Sequence, residues 1–335
     1  MSAENKEHPF AETIRILGKG KNGSRPLTQE EAYQAMRMIL AGEVEDIQLG
    51  AFLMLMRVKE ETPEELAGFV LAVRETLPNY GTIQTADLDW SAYAGKRRHL
   101  PWFILSSLLL AENGIKVLMH GSASHSESRL FVQDMLPLFA LAPAQSIAQA
   151  EQQLQSSNVS YLSLEQFCPT LNKMIHLRSL MGLRSPVHTL VRLINPFNAP
   201  YSIQGIFHPG YRPVHQEAAL LLQQPNMAVL KGEGGETERN PDMECLVQSV
   251  HNNELSEEIW PALFARRHVK PEQLDPKQLI QVWRDECQDE FAQASIIGTT
   301  AVALKLLGKA TSQEDAHDLA TQYWYKRNKN AYASL

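Results

Sequence analysis

Three glutamates and two adjacent glycines stand close together in the segment KGEGGETERNP, residues 231–241. Glycines allow a backbone to approach a ligand closely, and carboxylates can hold a Mg²⁺ ion that also binds substrate phosphates. The segment follows the apolar run MAVL, which is typical of a buried strand, so we expect it in a loop at a strand end. Lys231 and Arg239 bracket the acids, and the pattern leaves open whether the magnesium–phosphate site is complete.

A second segment, GKGKNGSR at residues 18–25, combines three glycines with Lys19, Lys21 and Arg25. A flexible backbone with cationic side chains suits phosphate binding. The segment lacks the GK[ST] ending and the preceding strand of a P-loop. A solvated loop between two helices is therefore the alternative interpretation.

The segment YAGKRRHLPW, residues 93–102, places four successive basic residues between two aromatic ones. It directly precedes an apolar helix predicted from residue 103, and helix N-termini attract anions. Cations that pair with phosphates and aromatic rings that stack on bases are the ingredients of single-strand binding. A solvated charged face is the alternative. The residues concerned are Tyr93, Lys96, Arg97, Arg98, His99 and Trp102.

Two further segments carry basic residues. In MHGSASHSESR, residues 119–129, His120 and His125 could ligate a metal, but no third ligand has a clear spacing. The hydroxyl residues of this segment, with its histidines and Arg129, fit phosphate contacts better. In residues 167–197, Arg178 and Arg192 are capable of bidentate anion binding. We assign no catalytic residue in either segment.

Composition limits the class of protein. The chain has 335 residues, 44% of them hydrophobic, enough for one large core with a second, smaller domain. Three distant cysteines indicate a reducing compartment, and neither a signal peptide nor a membrane span is evident. We therefore expect a soluble cytoplasmic protein without a membrane partner. The net charge of −7 is unusual for a nucleic-acid-binding domain, but local patches rather than averages bind ligands.

The pattern of elements divides the chain. Thr28 with Glu31, and Thr62 with Glu65, have the spacing of a helix capping box, so the first 85 residues predict helices. Beyond residue 86, helix, strand and glycine-containing loop alternate, which indicates an α/β domain. Ligands bind at the carboxyl ends of strands in such sheets, where the loops after GIKVLM and MAVL are expected. From residue 256, WPALFARR, PKQLIQVW and DLATQYWYKR predict helices.

In chain order, these segments resemble the anthranilate phosphoribosyltransferase family (glycosyl transferase family 3). LTQEEAYQAMRMILAGEVEDIQLGAFLMLMRVKEETPEELAGF resembles its N-terminal helical domain, GIKVLMHG its strand ending in Lys-His-Gly, and RSLMGLRSPVHTLVRLINP its hinge. The resemblance implies a helical domain, residues 1–85, completed by part of residues 170–200. It also implies a larger α/β domain, residues 86–335, with a central, mostly parallel sheet of the nucleoside phosphorylase/phosphoribosyltransferase type. A homodimer through the helical domains is expected.

The active-site motifs depart from those of the family. Its diphosphate loop, Gly-Thr-Gly-Gly-Asp, corresponds to SAYAG at residues 91–95, where Tyr93 replaces a glycine. Its Asn-x-Ser-Thr motif corresponds to PWFI at residues 101–104, which has no polar ligand. The metal-binding Asp-Glu pair corresponds to Thr237 and Glu238, and Glu236 could substitute for the lost acid. The resemblance therefore implies that the loop at residues 231–241 is a vestigial magnesium site.

The combination of SAYAGKRR with KGEGGETERNP resembles the YbiB-like branch of the family. That resemblance implies sequence-nonspecific binding of single-stranded DNA or RNA in a basic cleft, with transferase activity lost and no cofactor needed. An active phosphoribosyl or glycosyl transferase that uses Mg²⁺ and phosphoribosyl diphosphate (PRPP) with an altered substrate is the alternative, and a protein-interaction module using the acidic surface is a third. The predicted nucleic-acid contacts are Lys19, Lys21, Arg25, Tyr93, Lys96, Arg97, Arg98, His120, Arg178 and Arg184.

Overall fold

The computed structural model describes residues 7–82, 85–123 and 128–332. Its N-terminal region forms four helices: α1 (Ala11–Gly18), α2 (Gln29–Leu40), α3 (Asp46–Lys59) and α4 (Pro63–Thr76). Both predicted capping boxes are present, because the hydroxyls of Thr28 and Thr62 accept hydrogen bonds from the amides of Glu31 and Glu65. The local sequence therefore determines where α2 and α4 begin.

Seven strands form one sheet in the order β3-β2-β1-β4-β5-β6-β7. Strands β1 to β5 are parallel, whereas β6 and β7 form an antiparallel hairpin at one edge. The strands are β1 (Leu88–Ala92), β2 (Val117–Gly121), β3 (Val159–Ser163), β4 (Tyr201–Ile206), β5 (Asn226–Lys231), β6 (Cys245–His251) and β7 (Glu254–Trp260). The prediction of a small helical domain and a larger α/β domain with a mostly parallel sheet is confirmed.

Helices connect the strands and cover the sheet. The longer ones are α5 (Phe103–Glu112), α7 (Ile147–Ser157), α9 (Pro169–His176), α12 (Tyr211–Leu221), α13 (Lys277–Trp283), α14 (Glu290–Leu306) and α15 (Gln313–Lys326). Four-residue helices are α6 (Val132–Met135), α8 (Leu164–Phe167), α10 (Arg178–Met181) and α11 (Val187–Leu190). The helix predicted for WPALFARR is wrong: Trp260 ends β7, and residues 261–276 contain no helix.

The segment around residues 170–195 packs with the N-terminal helices. Leu171 and Val187 belong to the same buried cluster as Phe52 of α3. Arg74 of α4 donates hydrogen bonds to the carbonyls of residues 193 and 194 at 3.1 and 2.8 Å. These contacts hold the basic residues of the segment between the helical domain and the sheet.

One face of α3 stays apolar and uncovered. Ile47 and Val58, eleven residues apart and thus on the same side of the helix, are 83% and 77% exposed. The homodimer expected through the helical domain stays a prediction. None of the helices in the described residues is long and apolar enough to cross a membrane.

Candidate functional site

Loops from four parallel strands meet at one edge of the sheet. Because β1, β2, β4 and β5 are parallel, the loops that follow them leave from the same edge. Their described residues are 93–102 after β1, 122–123 and 128–131 after β2, 207–210 after β4, and 232–239 after β5. All four predicted phosphate-binding segments of the α/β domain therefore fall at this edge or in the hinge beside it.

The carboxylate of Glu236 is docked on the backbone of the loop after β1. Its Oε1 accepts hydrogen bonds from the amide of Ala94, at 2.8 Å, and from that of Gly95. Its Oε2 has no hydrogen-bond partner among the described residues, and burial raises the pKa of this carboxyl. The amides in the loop at residues 91–95 that could bind a phosphate are thus already hydrogen-bonded to a carboxylate of the protein.

Glu238 neutralises the lysine of the KRRH segment. Its Oε1 lies 2.6 Å from Lys96 Nζ, and its Oε2 accepts a hydrogen bond of 2.9 Å from the amide of Phe103, the first residue of α5. Both charged side chains are almost fully buried, Lys96 at 2% exposure. The prediction that Lys96 contacts nucleic acid is therefore corrected, because its ammonium is enclosed and paired.

Glu233 holds the rest of the same segment. Its Oε1 accepts from the amides of Arg97 and Arg98, and its Oε2 lies 2.9 Å from His99 Nδ1 and 3.1 Å from Lys96 Nζ. Burial alone would raise the pKa of Glu233, but the hydrogen bond from His99 and the charge of Lys96 outweigh it and lower the pKa to about 2. The side chains of Arg97 and Arg98 themselves project into solvent.

The residues at the metal position do not fit Mg²⁺. The hydroxyl of Thr237 donates to the carbonyl of Ser91 at 3.2 Å, while Glu236 and Glu238 are bound to amides and to Lys96. Mg²⁺ requires oxygen ligands in an octahedral arrangement and usually keeps several waters among them. Within residues 7–82, 85–123 and 128–332, no group of three or more histidines, cysteines or acids could hold a metal ion.

Two predicted contacts belong to the interior. The hydroxyl of Tyr93 lies 2.8 Å from His120 Nδ1, and His120 Nε2 lies 3.1 Å from Asp89 Oδ1. All three side chains are buried, and burial raises the pKa of Tyr93. Neither ring is available to a base, and Trp102 is buried as well. The other histidine considered as a metal ligand, His125, lies outside the described residues.

Four arginines gather at the strand ends without a carboxylate partner. They are Arg129 after β2 and Arg178, Arg184 and Arg192 in the hinge. Burial, and then the charges of Arg129, Arg192 and Arg178, lower the pKa of Arg184 to about 10. No carboxylate of the described residues lies within 4.0 Å of any of the four. We call this group the cleft arginines.

The glycines of the loop after β5 admit these arginines. Gly234 has φ +70°, and a Cβ there would lie 2.7 Å from Arg129 Nη1. Gly235 has φ +98°, and its Cβ would lie 3.3 Å from Arg192 Nη2. Arg129 Nη1 in turn donates to the carbonyls of Ala94 and Gly95, both at 3.0 Å. The adjacent glycines therefore bring the loop close to guanidinium groups.

A cavity of about 110 Å³ opens among Arg184, Arg192, His188, Phe207 and His208. Sites for whole small-molecule ligands usually measure about 300–1,000 Å³, so this one has room for a phosphate group rather than a nucleotide substrate. Phe207, directly after β4, is 51% exposed at its wall. Sequence reasoning missed Phe207, although it follows the strand pattern YSIQGI just as the other loops follow theirs.

The N-terminal basic segment stands apart from the cleft arginines. Lys19 and Lys21 are exposed in the loop after α1. Arg25 is half exposed and forms a two-pronged pair with Glu31, both contacts at 2.7 Å, and its role as a nucleic-acid contact stays a prediction. In the part of the chain that the structure describes, no hydrogen bond or salt bridge joins residues 18–25 to the cleft arginines.

Family models place the chain in a known class. A helical bundle domain of the glycosyl transferase family matches residues 11–77, and the α/β domain of that family matches residues 104–325. The second match alone covers more than half of the chain. The protein therefore belongs to glycosyl transferase family 3, and the resemblance found in the sequence is confirmed.

Individual relatives fall into two groups. The chain is 30% identical over 238 residues to an uncharacterized protein of Aquifex aeolicus, covering 70% of this chain and 72% of that one. It is 26% identical over 285 residues to the uncharacterized protein YbiB of Escherichia coli, covering 83% and 87%. It is also 27% identical over 303 residues to the anthranilate phosphoribosyltransferase of Caldivirga maquilingensis, covering 88% and 89%.

Solved structures agree with this fold. Anthranilate phosphoribosyltransferase from Thermus thermophilus superposes with a TM-score of 0.77 at 21% identity, covering 97% of this chain and 96% of that one. The enzyme from Saccharomyces cerevisiae, solved with PRPP and Mg, gives 0.75 at 16% identity, with 96% and 94% covered. At these identities the likeness concerns the fold alone.

Replacing Glu233 should destabilise the protein in a pH-dependent way. Glu233→Gln should lower the free energy of unfolding by about 2 kcal/mol at neutral pH, because it weakens charged hydrogen bonds to His99 and the loop amides. The pKa of Glu233 is lowered in the folded state, so its stabilisation is complete above its ordinary pKa and is lost as pH falls. Denaturant unfolding should therefore show the difference from the parent shrinking between about pH 5 and pH 2.

The exposed residue Glu254 provides the matched control. Glu254→Gln removes the same charge, and it should leave the unfolding free energy within about 0.5 kcal/mol of the parent at each pH. A Glu233→Gln deficit that grows on acidification would contradict the assigned role of Glu233.

Proposed function

We propose that the protein binds single-stranded DNA or RNA without sequence specificity and has lost transferase activity. The observation that carries this proposal is the group of cleft arginines, which are partly or fully buried and lack a carboxylate partner among the described residues. The charges of Glu233 and Glu236 act on members of this group, but neither acid pairs with any of them. Four guanidinium groups held together outnumber these two acids and favour an anionic ligand, and arginine suits the planar, two-pronged recognition of phosphate.

The surroundings of the cleft arginines favour a polymer over a small phosphate compound. The cavity has room for a phosphate group, while Phe207 at its wall offers an exposed ring on which a base can stack. Stacking tolerates any base, and phosphate contacts carry no sequence information. A backbone that enters the cavity with one phosphate would leave its neighbouring nucleotides outside, beside Phe207 and the exposed Arg97 and Arg98.

The loss of transferase activity is supported by the three glutamates of the loop after β5. Glu236 fills the amides of the loop at residues 91–95, and Glu238 is bound to Lys96 and to the start of α5. A diphosphate and its Mg²⁺ would have to displace both. The alternative of an active transferase is favoured by the similarity to anthranilate phosphoribosyltransferases over 88% of the chain.

Enzymatic assay separates these two possibilities. With PRPP, anthranilate and Mg²⁺, we expect no formation of phosphoribosyl anthranilate, because residues 91–95 and 101–104 lack the polar groups for diphosphate and metal. Fluorescence of anthranilate measures the reaction. Turnover that depends on Mg²⁺ and disappears in a correctly folded Glu238→Ala variant would establish the alternative.

Replacing two cleft arginines should weaken binding to every sequence equally. Arg178→Ala with Arg184→Ala removes two phosphate contacts, so the slope of log affinity against log salt should fall by about 1.4 on single strands. Fluorescence anisotropy with labelled oligonucleotides of different sequence measures both quantities. The parent failing to bind any oligonucleotide at low salt would refute the proposed function.

A double variant remote from the cleft controls for net charge. Lys116 precedes β2 at the opposite edge of the sheet, and Lys309 follows the 17-residue helix α14, about 25 Å from its first turn. Lys116→Ala with Lys309→Ala changes the charge by the same amount as the arginine variant. Its affinity and salt slope should match those of the parent. Equal losses in both variants would show that net charge alone governs binding.

Phe207 should contribute by stacking. Phe207→Ala should weaken oligonucleotide binding by about 1–3 kcal/mol without changing the salt slope, because a ring interaction involves no phosphate. Phe207→Trp should retain the affinity, since an indole stacks at least as well. The exposed aromatic Tyr325 of α15 is the control, and Tyr325→Ala should have no effect. Equal affinity of the parent and Phe207→Ala would exclude Phe207 from the site.

A further inference from the structure

Phe291, in the first turn of α14, holds two histidines that come from separate loops. The ring of His99 stacks on it with centroids 4.5 Å apart and an interplanar angle of 15°. The ring of His268 meets it edge to face with centroids 5.6 Å apart. Since both rings touch one side chain, the loop after β1 and the loop after β7 are held side by side.

A carboxylate fixes each histidine from the other side. His99 Nδ1 lies 2.9 Å from Glu233 Oε2, and His268 Nδ1 lies 2.6 Å from Asp242 Oδ1. The amide of His268 also donates to Asp242 Oδ2 at 2.8 Å. Each loop is therefore anchored by an aromatic contact and by charged hydrogen bonds, although residues 261–276 contain no helix or strand beyond the end of β7.

Each anchored histidine ends the same tripeptide, Arg-Arg-His. Arg97 and Arg98 precede His99, and Arg266 and Arg267 precede His268. All four arginine side chains are exposed, and Val269 beyond them is 95% exposed. No salt bridge involves any of the four within the described residues. With Lys270, they form what we call the outer arginine strip.

The acids near the outer arginine strip do not cancel its charge. Glu233 is already bound to Lys96 and His99, and Asp242 is bound to His268. Glu290 Oε2 lies 3.9 Å from His268 Nε2, at the start of α14. Five cations thus face solvent, and the exposed acids near them are Glu290, at the start of α14, and Glu272, two residues after Lys270.

We propose that the outer arginine strip is a second phosphodiester-binding segment, along which a single strand bound at the cleft arginines continues over the surface. This inference rests on the proposed function. The two segments adjoin, because Arg129 Nη1 donates to the carbonyls of Ala94 and Gly95, both at 3.0 Å, in the loop that carries Arg97. His99 and His268 are anchored on one buried ring, so the backbone that carries these cations needs little ordering when a strand binds.

The strip should reveal itself through the length of the bound strand. A short strand meets only the cleft arginines and the adjoining Arg97 and Arg98, whereas a longer one also reaches Arg266 and Arg267. The second contact is then intramolecular, and it raises the affinity through effective concentration. Arg266 and Arg267 should therefore contribute to the affinity for long oligonucleotides only, whereas the cleft arginines should contribute to the affinity for short and long ones.

The test compares Arg266→Ala/Arg267→Ala with the parent, using oligothymidylates of about 6 and about 24 nucleotides over a salt series. On the long strand the variant should bind about tenfold more weakly, and its salt slope should fall by about 1.4 for two lost phosphate contacts. On the short strand, affinity and slope should match those of the parent. Lys116→Ala/Lys309→Ala is the charge-matched control, and Arg266→Lys/Arg267→Lys should keep most of the slope.

The possible outcomes are distinguishable. If the parent binds neither strand, the proposed function fails and the strip fails with it. If the parent binds both strands and the variant binds the long one equally well, the strip is wrong while the proposed function stands. An equal loss on both lengths would show a nonspecific charge effect and would also overturn the strip. Vesicles containing phosphatidylserine that bind the parent in place of oligonucleotides would identify a membrane surface instead.

Discussion

The attachment of three glutamates to one loop determines the character of this site. Glu233, Glu236 and Glu238 follow the end of β5 and accept hydrogen bonds from the amides of residues 94, 95, 97, 98 and 103, and two of them also pair with Lys96. Every acid that could hold a metal is thereby used to join the two central loops of the sheet edge. The arginines around them form no salt bridge with these acids, because Glu233, Glu236 and Glu238 bind the loop amides and Lys96 instead.

This arrangement reconciles an acidic protein with a site for polyanions. The net charge of −7 is a sum over all 335 residues, and salt screens exposed charges that lie far apart. The cleft arginines lie together and partly out of water, where interactions between charges are screened less. Burial, and then the charges of the neighbouring arginines, lower the pKa of Arg184, so an anion that entered would favour the charged form of this group. Local burial and pairing therefore outweigh the overall balance of charge.

The local sequence predicted the helices and strands better than it predicted the contacts between distant residues. The capping boxes at Thr28 and Thr62 could be predicted because all their atoms lie within four residues. The burial and pairing of Lys96 could not be predicted, because its partner Glu238 is 142 positions away and only the folded sheet brings the two together. The fold class followed from the alternation of elements and from the resemblance. The distinction between buried and exposed members of KRRH needed the structure.

The hairpin of β6 and β7 was missed for a different reason, because its signal is local. Asn252 and Asn253, both with positive φ, form the two-residue turn between β6 and β7, a signal that the sequence SVHNNELS does carry. The prediction of a helix for WPALFARR obscured this hairpin. In the structure Trp260 is the last residue of β7, and Pro261 begins the irregular segment. That error concealed the second Arg-Arg-His, whose meaning depends on Phe291. A basic tripeptide on a free loop would be a solvated charge run, but two of them fixed on one ring form an ordered surface.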